Sequence, residues 1–224
     1  MSRDTTTEHS LMVARASLYS QQPLAVRGAN TTLALLLLDR SGSMDEYGQT
    51  PRLAANECIQ TIQRVPGAEN AKLAIFTFAS DVSLDIKPQP VRSVQLLKSY
   101  QADGSTKLYE AVFIALFLAL EHYAIQEKEG RKTEVVISVI TDGQDTASSP
   151  EYRLRMLQLV GQARKLNFKL QVIGIGVDSK QLAEDLGFQS KLAKTVAPTE
   201  QGVREAIRET SVIFSNTIFL NAER

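Results

Sequence analysis

The chain has 224 residues, of which 43% are hydrophobic and 22% are charged, and this composition is typical of a single globular domain. Its 25 basic and 25 acidic residues give a formal charge of zero, which argues against a broad electrostatic surface for nucleic acid or for an anionic membrane. The single cysteine, Cys58, excludes an internal disulfide bond and a zinc site built on cysteines.

The amino-terminal stretch, residues 1–30, has the least regular pattern, and we predict that it is an extension to a domain formed by residues 31–224. The first ten residues, MSRDTTTEHS, lack the apolar core of a secretory signal. The longest apolar run, residues 111–120, is about half as long as a transmembrane helix. We therefore expect a cytoplasmic protein that has no membrane partner.

From Thr31 onwards, short apolar runs alternate with helical patterns, which predicts an α/β fold. The architecture expected is a doubly wound, mostly parallel central sheet, with one antiparallel edge strand and helices on both faces. The predicted strands are residues 33–38, 72–79, 82–86, 134–141, 169–177 and 193–196, and the predicted helices are residues 51–65, 107–127, 150–167 and a last one capped by Thr199. Pro88 and Pro90 are expected to end the third strand.

The first strand leads directly into a polar motif. Residues 33–38 are an uninterrupted apolar run, which is typical of a strand buried on both faces, and Asp39 follows at once. Ser41 and Ser43 come next at alternate positions, with Gly42 between them. A carboxylate and two hydroxyls in this D-x-S-x-S pattern offer hard oxygen ligands to a divalent cation. Because one carboxylate binds a divalent cation only weakly, further ligands are expected later in the chain.

Two later stretches supply such ligands. Residues 103–106, DGST, end in Thr106 just before a long apolar helix, and the buried strand 134–141 leads directly into Asp142. In a doubly wound sheet, ligands collect beyond the carboxyl ends of the strands, where the strand order reverses. We therefore expect Asp142 to lie close to Asp39 despite their separation in sequence.

Together these stretches resemble the von Willebrand factor A domain family, which has a Rossmann-like fold, and its metal-ion-dependent adhesion site. Asp39, Ser41 and Ser43 match the first motif of the family, Thr106 matches its threonine, and Asp142 matches its second aspartate. The resemblance implies that these five residues bind Mg²⁺ or Mn²⁺, with Ca²⁺ less suitable. It also implies a metal-dependent protein–protein interaction module, in which an aspartate or glutamate of the partner completes the coordination of the metal.

The resemblance extends over roughly residues 31–215 and also suggests a cellular setting. Short members of the family that lack a leader resemble bacterial intracellular proteins, which act as adaptors. The resemblance therefore implies a protein partner in an ATPase, kinase, stress or defence complex.

Other interpretations of the same residues stay open. Taken singly, the D-x-S-x-S run could be a capped turn, Thr106 a helix cap and Asp142 part of a turn. The chain could also be a structural module with a vestigial metal site. A Mg²⁺-dependent phosphatase-like hydrolase is disfavoured, because the second acid that haloacid-dehalogenase-type phosphatases need is replaced here by Ser41. His9 and His122 form no evident dyad with a serine, so we do not expect an enzyme.

Several acidic residues near these motifs are interpreted as solvated loop charge. They are Asp45, Glu46, Asp103 and Asp145. A second cation near Asp45 and Glu46, as found in a subset of the family, is left open.

Overall fold

The computed structural model describes residues 30–223. The predicted amino-terminal extension therefore lies outside the described residues, apart from Asn30, and so does His9. The prediction of an extension over residues 1–30 stays a prediction.

The described part of the chain alternates strands and helices as expected. The strands are β1 (Thr31–Asp39), β2 (Ala71–Phe78), β3 (Val82–Pro90), β4 (Thr133–Thr141), β5 (Lys169–Ile175) and β6 (Ala193–Val196). The α-helices are α1 (Thr50–Gln63), α2 (Leu108–Lys128), α3 (Pro150–Lys165), α4 (Ser179–Leu186) and α5 (Glu200–Ala222). The strands form one sheet in the order β3-β2-β1-β4-β5-β6, in which only β3 is antiparallel to its neighbour. The predicted doubly wound, mostly parallel α/β fold is confirmed.

The central strand β1 is buried along its whole length. Its side chains alternate between two apolar layers, because successive residues of a strand point to opposite faces of the sheet. One layer contains Leu33, Leu35 and Leu37 and is covered by α2, α3 and α4. The other contains Ala34, Leu36 and Leu38 and is covered by α1 and α5. This double burial explains why the sequence of β1 is apolar without interruption.

The prediction that Pro88 and Pro90 end the third strand is wrong. Strand β3 continues to Pro90, which lies opposite Lys72 of β2, and the pairing shifts register on both sides of Ile75. Proline has no amide hydrogen to donate, but β3 is the edge strand, so an amide on its outer side needs no strand partner. An irregular edge strand can therefore accommodate both prolines.

Helix α4 was not predicted from the sequence. It has only eight residues, and its local signals lie at its ends. The Asp178 carboxylate accepts hydrogen bonds from the amides of Lys180 and Gln181, and Gly187 follows the helix with a φ of 69°. An aspartate N-cap and a left-handed glycine are the usual signals of a helix start and a helix end, and we overlooked this pair.

Helix α2 is the one helix among residues 30–223 that is long and apolar enough to cross a membrane. It packs against β1, β2 and β4 on one side and against α3 on the other. This position in the core accounts for its apolar sequence.

A buried histidine lies in the second half of α2. His122 is 2% exposed, and its Nε2 atom has no hydrogen-bond partner among residues 30–223. Burial and, to a smaller extent, the positive charges of Lys72 and Arg131 together lower the pKa of His122 to about 3. Because Lys72 is the second residue of strand β2, this histidine lies toward the amino edge of the sheet, opposite the edge at which β1 and β4 end.

The depressed pKa of His122 predicts acid destabilisation. The unfolded chain takes up a proton near pH 6.5 and the folded protein only near pH 3, so the contribution to stability is complete above pH 6.5 and is lost as the pH falls. We expect the free energy of unfolding to fall by up to about 1.4 kcal/mol per pH unit in this window. His122→Gln should flatten the curve obtained from urea titrations between pH 7 and 4. An unchanged slope in this variant would contradict the assignment.

Candidate metal centre

The site is built around the last residue of β1. The Asp39 side chain is fully buried, and both of its oxygens accept hydrogen bonds. Oδ1 accepts from the amide of Ser41 at 2.7 Å, and Oδ2 accepts from the Thr141 hydroxyl, at the end of β4, at 2.5 Å. The peptide oxygen of Asp39 accepts from the Tyr100 hydroxyl at 2.6 Å. These contacts fix the carboxylate at the point where β1 and β4 end together.

A row of oxygen atoms extends from this carboxylate towards the surface. Ser41 is buried in the loop after β1, and its Oγ atom lies 3.3 Å from Oγ of Ser43. The Ser43 hydroxyl donates a hydrogen bond to Asp142 Oδ1 at 2.8 Å. Asp142 directly follows β4 and is partly exposed. The fold therefore brings Asp39, Ser41, Ser43 and Asp142 together at one edge of the sheet.

Thr106 is brought to the same edge by backbone hydrogen bonds. In the segment before it, the amide of Asp103 donates to the oxygen of Arg40, and the oxygen of Gly104 accepts from the amide of Gly42, each at 2.9 Å. Gly104 has a φ of 76°, and a side chain there would place its Cβ 2.2 Å from Oγ of Ser80. Only glycine therefore allows this close approach of the loops. Thr106 is buried at the end of the segment.

The alternative role of Thr106 as a helix cap is not seen. The N-cap residue of α2 is Lys107, and no side chain caps the helix from that position. The first amides of α2 instead donate to Asp145 and Ser148, which lie in the loop after β4. Asp145 is therefore a structural acceptor, and its interpretation as solvated loop charge was wrong.

Two further groups of residues support the site and were missed in the sequence. The segment that contains Tyr100 is held by α1, where Asn56 exchanges two hydrogen bonds with the backbone of Leu97. Gln49 donates to the oxygen of Tyr100 at 3.0 Å. The buried apolar residues of this segment recur at every third position, namely Val91, Val94, Leu97 and Tyr100, but this spacing does not indicate which backbone groups the segment contacts. Thr141 is equally hidden, because a threonine in a buried strand is unremarkable in a sequence.

The positively charged residue next to Asp39, Arg40, pairs with residues outside the predicted ligand set. Arg40 forms an ion pair with Asp81 through Nη2, and its Nε donates to the Thr77 hydroxyl at 3.2 Å. It is therefore engaged by the loop after β2, and its guanidinium is not a direct partner of either carboxylate of the site.

The electrostatics of the site favour a cation. Burial, with a smaller contribution from the negative charge of Asp142, raises the pKa of Asp39 to about 6, although the hydrogen bonds from Thr141 and Ser41 act to lower it. The pKa of Asp142 is also raised, mainly by burial. A buried carboxylate whose neighbour is also negative is destabilising unless a positive charge compensates it.

The geometry of the oxygens fits a small hard cation. Neighbouring ligands of an octahedral Mg²⁺, with bonds of about 2.1 Å, lie about 3 Å apart. The observed separations of 3.3 Å between the two serine hydroxyls and 2.8 Å between Ser43 and Asp142 are close to this value. Within residues 30–223, no three His, Cys, Asp or Glu side chains form a metal cluster. A cation at this site would therefore depend on the hydroxyls, a donor set that suits Mg²⁺ or Mn²⁺.

The burial of Asp39 predicts an unusual stability effect. In the presence of a chelator at pH 7.5, Asp39→Asn should raise the free energy of unfolding by about 2 kcal/mol, because the amide removes a buried, uncompensated charge. Asparagine can still accept from the Ser41 amide, and Thr141 can donate to the oxygen of Gly143 instead. Urea titrations would measure the change.

The matched control is Asp81→Asn. Asp81 is partly exposed and pairs with Arg40, so its amide variant should bring no gain in stability. If Asp39→Asn were no more stable than Asp81→Asn under the same conditions, the account of an uncompensated charge would be contradicted.

Comparisons with known proteins place the fold. A family model of the von Willebrand factor type A domain matches residues 35–206, a range that contains all five predicted ligands. No curated protein sequence matches the chain significantly.

Solved structures with the same fold share little sequence with the chain. The pilus adhesin SpaC from Lactobacillus rhamnosus GG, in its open conformation, has a TM-score of 0.66 and 11% identity over 85% of this chain and 30% of that one. A von Willebrand factor type A protein from Catenulispora acidiphila has a TM-score of 0.59 and 18% identity over 84% and 43% of the two chains. Manganese-loaded TRAP from Plasmodium vivax has a TM-score of 0.52 and 17% identity over 83% and 75%. The chain spans less than half the length of the first two proteins.

Proposed function

Because the chain belongs to the von Willebrand factor type A domain family, we propose that it is a protein-interaction module that binds a carboxylate of its partner through a divalent cation. The observation that carries this proposal is the row of oxygens from Ser41 through Ser43 to Asp142, beside the buried Asp39. These oxygens have the spacing that a small cation needs, and two of the residues, Ser43 and Asp142, are exposed enough at the edge of the sheet for a partner to approach.

Each residue has a defined part in this proposal. The hydroxyls of Ser41, Ser43 and Thr106 bind the metal directly, and Asp39 and Asp142 bind it directly or through water. When bound, Mg²⁺ supplies positive charge and keeps coordination positions open to an outside oxygen. The two carboxylates offset the charge of a divalent ion without leaving an excess of negative charge among the ligands. The carboxylate of a partner is therefore attracted to the metal and is not repelled by its ligands.

We propose Mg²⁺ or Mn²⁺ as the metal and regard Ca²⁺ as less suitable. Ca²⁺ prefers longer bonds and more oxygen ligands than five side chains with this spacing offer. The manganese-loaded TRAP structure shows that one protein of this fold takes up Mn²⁺. The pilus adhesin of the same fold is named for adhesion, which supports a role in binding other proteins.

A hydrolase receives less support from the structure. His122 is buried and lies toward the amino edge of the sheet, so it is no dyad partner for the serines at the carboxyl edge. A vestigial site would contain the same residues, Thr106, Asp39 and Asp142, but would not bind metal. Measured metal binding therefore distinguishes this alternative from the proposed function. The cytoplasmic location stays a prediction from the amino-terminal and apolar patterns of the sequence. The adaptor role in a bacterial ATPase, kinase, stress or defence complex stays a prediction from the sequence resemblance.

The first test of the proposal is metal binding. Calorimetry should detect one Mg²⁺ or Mn²⁺ per chain, and Asp39→Ala should abolish or greatly weaken its binding, because that variant loses one of two carboxylate ligands. In the wild type, metal at about 100 times its dissociation constant should add roughly 2.7 kcal/mol to the free energy of unfolding. Asp81→Asn, which changes a carboxylate that pairs with Arg40, should bind as the wild type does. Undiminished affinity in Asp39→Ala would overturn the assignment.

The second test is partner binding. The wild type and Thr106→Ala can be used as baits, each with Mg²⁺ and with chelator, and captured proteins identified by mass spectrometry. The partner should be retained only by the wild type with Mg²⁺. Replacement of one Asp or Glu of that partner by its amide should then give strong coupling with Thr106→Ala in a double-mutant cycle, since both groups act through one ion. A physiological partner that binds equally well in chelator would contradict the proposal.

A further inference from the structure

The backbone of Thr106 is held on both sides by one residue of the loop after β4. The amide of Thr106 donates to the hydroxyl of Thr146 at 2.9 Å. In return, the oxygen of Thr106 accepts from the amides of Thr146 at 2.9 Å and Ala147 at 3.2 Å. Both backbone polar groups of Thr106 are therefore bound to Thr146, and its oxygen is also bound to Ala147.

The same loop also completes the start of helix α2. Asp145 Oδ2 accepts from the amide of Tyr109 at 2.9 Å, and the hydroxyl of Ser148 accepts from the amide of Glu110 at 3.1 Å. Asp145 Oδ1 accepts from the amide of Ser148 at 3.0 Å, which stiffens the loop itself. The first amides of a helix lack partners within the helix, so these contacts fix where α2 begins. We call Asp145, Thr146 and Ser148 the clasp.

The clasp joins two residues of the candidate metal centre. Asp142 lies three residues before Asp145 in the same loop, and the backbone of Thr106 is hydrogen-bonded to Thr146. We propose that Thr146 is a positioning residue that sets the location of the Thr106 hydroxyl relative to Asp142. This inference rests on the proposed function, in which both residues bind the cation.

The Thr146 hydroxyl is the part of the clasp that can be removed most cleanly. Thr146 is exposed, so Thr146→Val leaves the core unchanged, and its amide still donates to Thr106. What is lost is the acceptor for the Thr106 amide. The Thr106 peptide then keeps only the contacts of its oxygen with the amides of Thr146 and Ala147, although the neighbouring residues Asp103 and Gly104 stay bound to the loop after β1.

The preference of the site for Mg²⁺ over Ca²⁺ should decrease when Thr106 is less firmly positioned. Mg²⁺ requires near-ideal octahedral geometry, whereas Ca²⁺ tolerates irregular coordination. A less well-fixed Thr106 should therefore weaken Mg²⁺ binding more than Ca²⁺ binding. A residue that only stabilised the fold would leave the ratio of the two affinities unchanged.

The experiment compares three variants by calorimetry with Mg²⁺ alone and with Ca²⁺ alone. Thr146→Val should weaken Mg²⁺ binding by about 10-fold, the lower end for residues that support metal ligands, and should lower the ratio of Mg²⁺ to Ca²⁺ affinity. Thr146→Ser keeps the hydroxyl and should stay within about twofold of the wild type. Asp178 belongs neither to the clasp nor to the predicted ligands, so Asp178→Ala, which removes the cap of α4, should lower the melting temperature without changing either affinity.

The results separate this inference from the proposed function. If the wild type binds no metal, the proposed function itself fails. If the wild type and Thr146→Val bind Mg²⁺ equally well, or if Asp178→Ala weakens it as much as Thr146→Val does, only the role of Thr146 is overturned. Should Thr146→Val not fold, amide hydrogen exchange of the wild type decides: Mg²⁺ should slow exchange at Thr106 and Thr146 together, and protection of neither amide would refute the inference.

Discussion

The structure depends on the burial of one carboxylate at the end of a strand that is buried along its whole length. Asp39 is fully enclosed, yet it belongs to a residue type that is almost never buried without a partner. Two side-chain hydrogen bonds, from the Ser41 amide and the Thr141 hydroxyl, compensate only part of the loss of hydration. The free energy cost of burial that remains can be offset by a positive charge. The loops that converge on Asp39 place oxygens around it, and these oxygens create a place where a cation can supply that charge.

The convergence of these loops is a property of the sheet order. The chain first builds β1, β2 and β3 outward on one side, and then crosses over to build β4, β5 and β6 on the other. The ends of β1 and β4 are thereby neighbours, although Asp39 and Asp142 are far apart in sequence. Thr106 belongs to neither strand, so its place is set by loop-to-loop hydrogen bonds to Arg40, Gly42 and Thr146. These hydrogen bonds among three loops therefore fix the position of Thr106 relative to Asp39 and Asp142.

The sequence predicted those parts of the molecule whose signals are local or periodic. The apolar run before Asp39 and the run before Asp142 revealed buried strands, and the polar residues after them revealed the edge at which a site forms. The sequence did not reveal the roles of Tyr100, Asp145 and Thr146, because each acts on a backbone group that is remote along the chain. A side chain that caps a distant helix has no characteristic spacing from that helix.

The misread strand β3 shows a different limit. Proline was treated as a strand terminator, but its effect depends on which side of the strand faces the sheet, and that is known only from the tertiary structure. The short helix α4 was missed for the opposite reason, since its capping signals were present but its length lies near the lower limit of helices.

The two edges of the sheet also determine how this molecule can meet others. An exposed edge strand offers unpaired amides and carbonyls to another chain, and long flat edges invite aggregation. Here one edge is β3, which contains Pro88 and Pro90 and has an irregular register, and the other is β6, which has only four residues. Neither edge is a good template for a strand from another protein. Recognition through main-chain pairing is thereby discouraged, and the side chains at the ends of the strands are left as the better place for selective contacts.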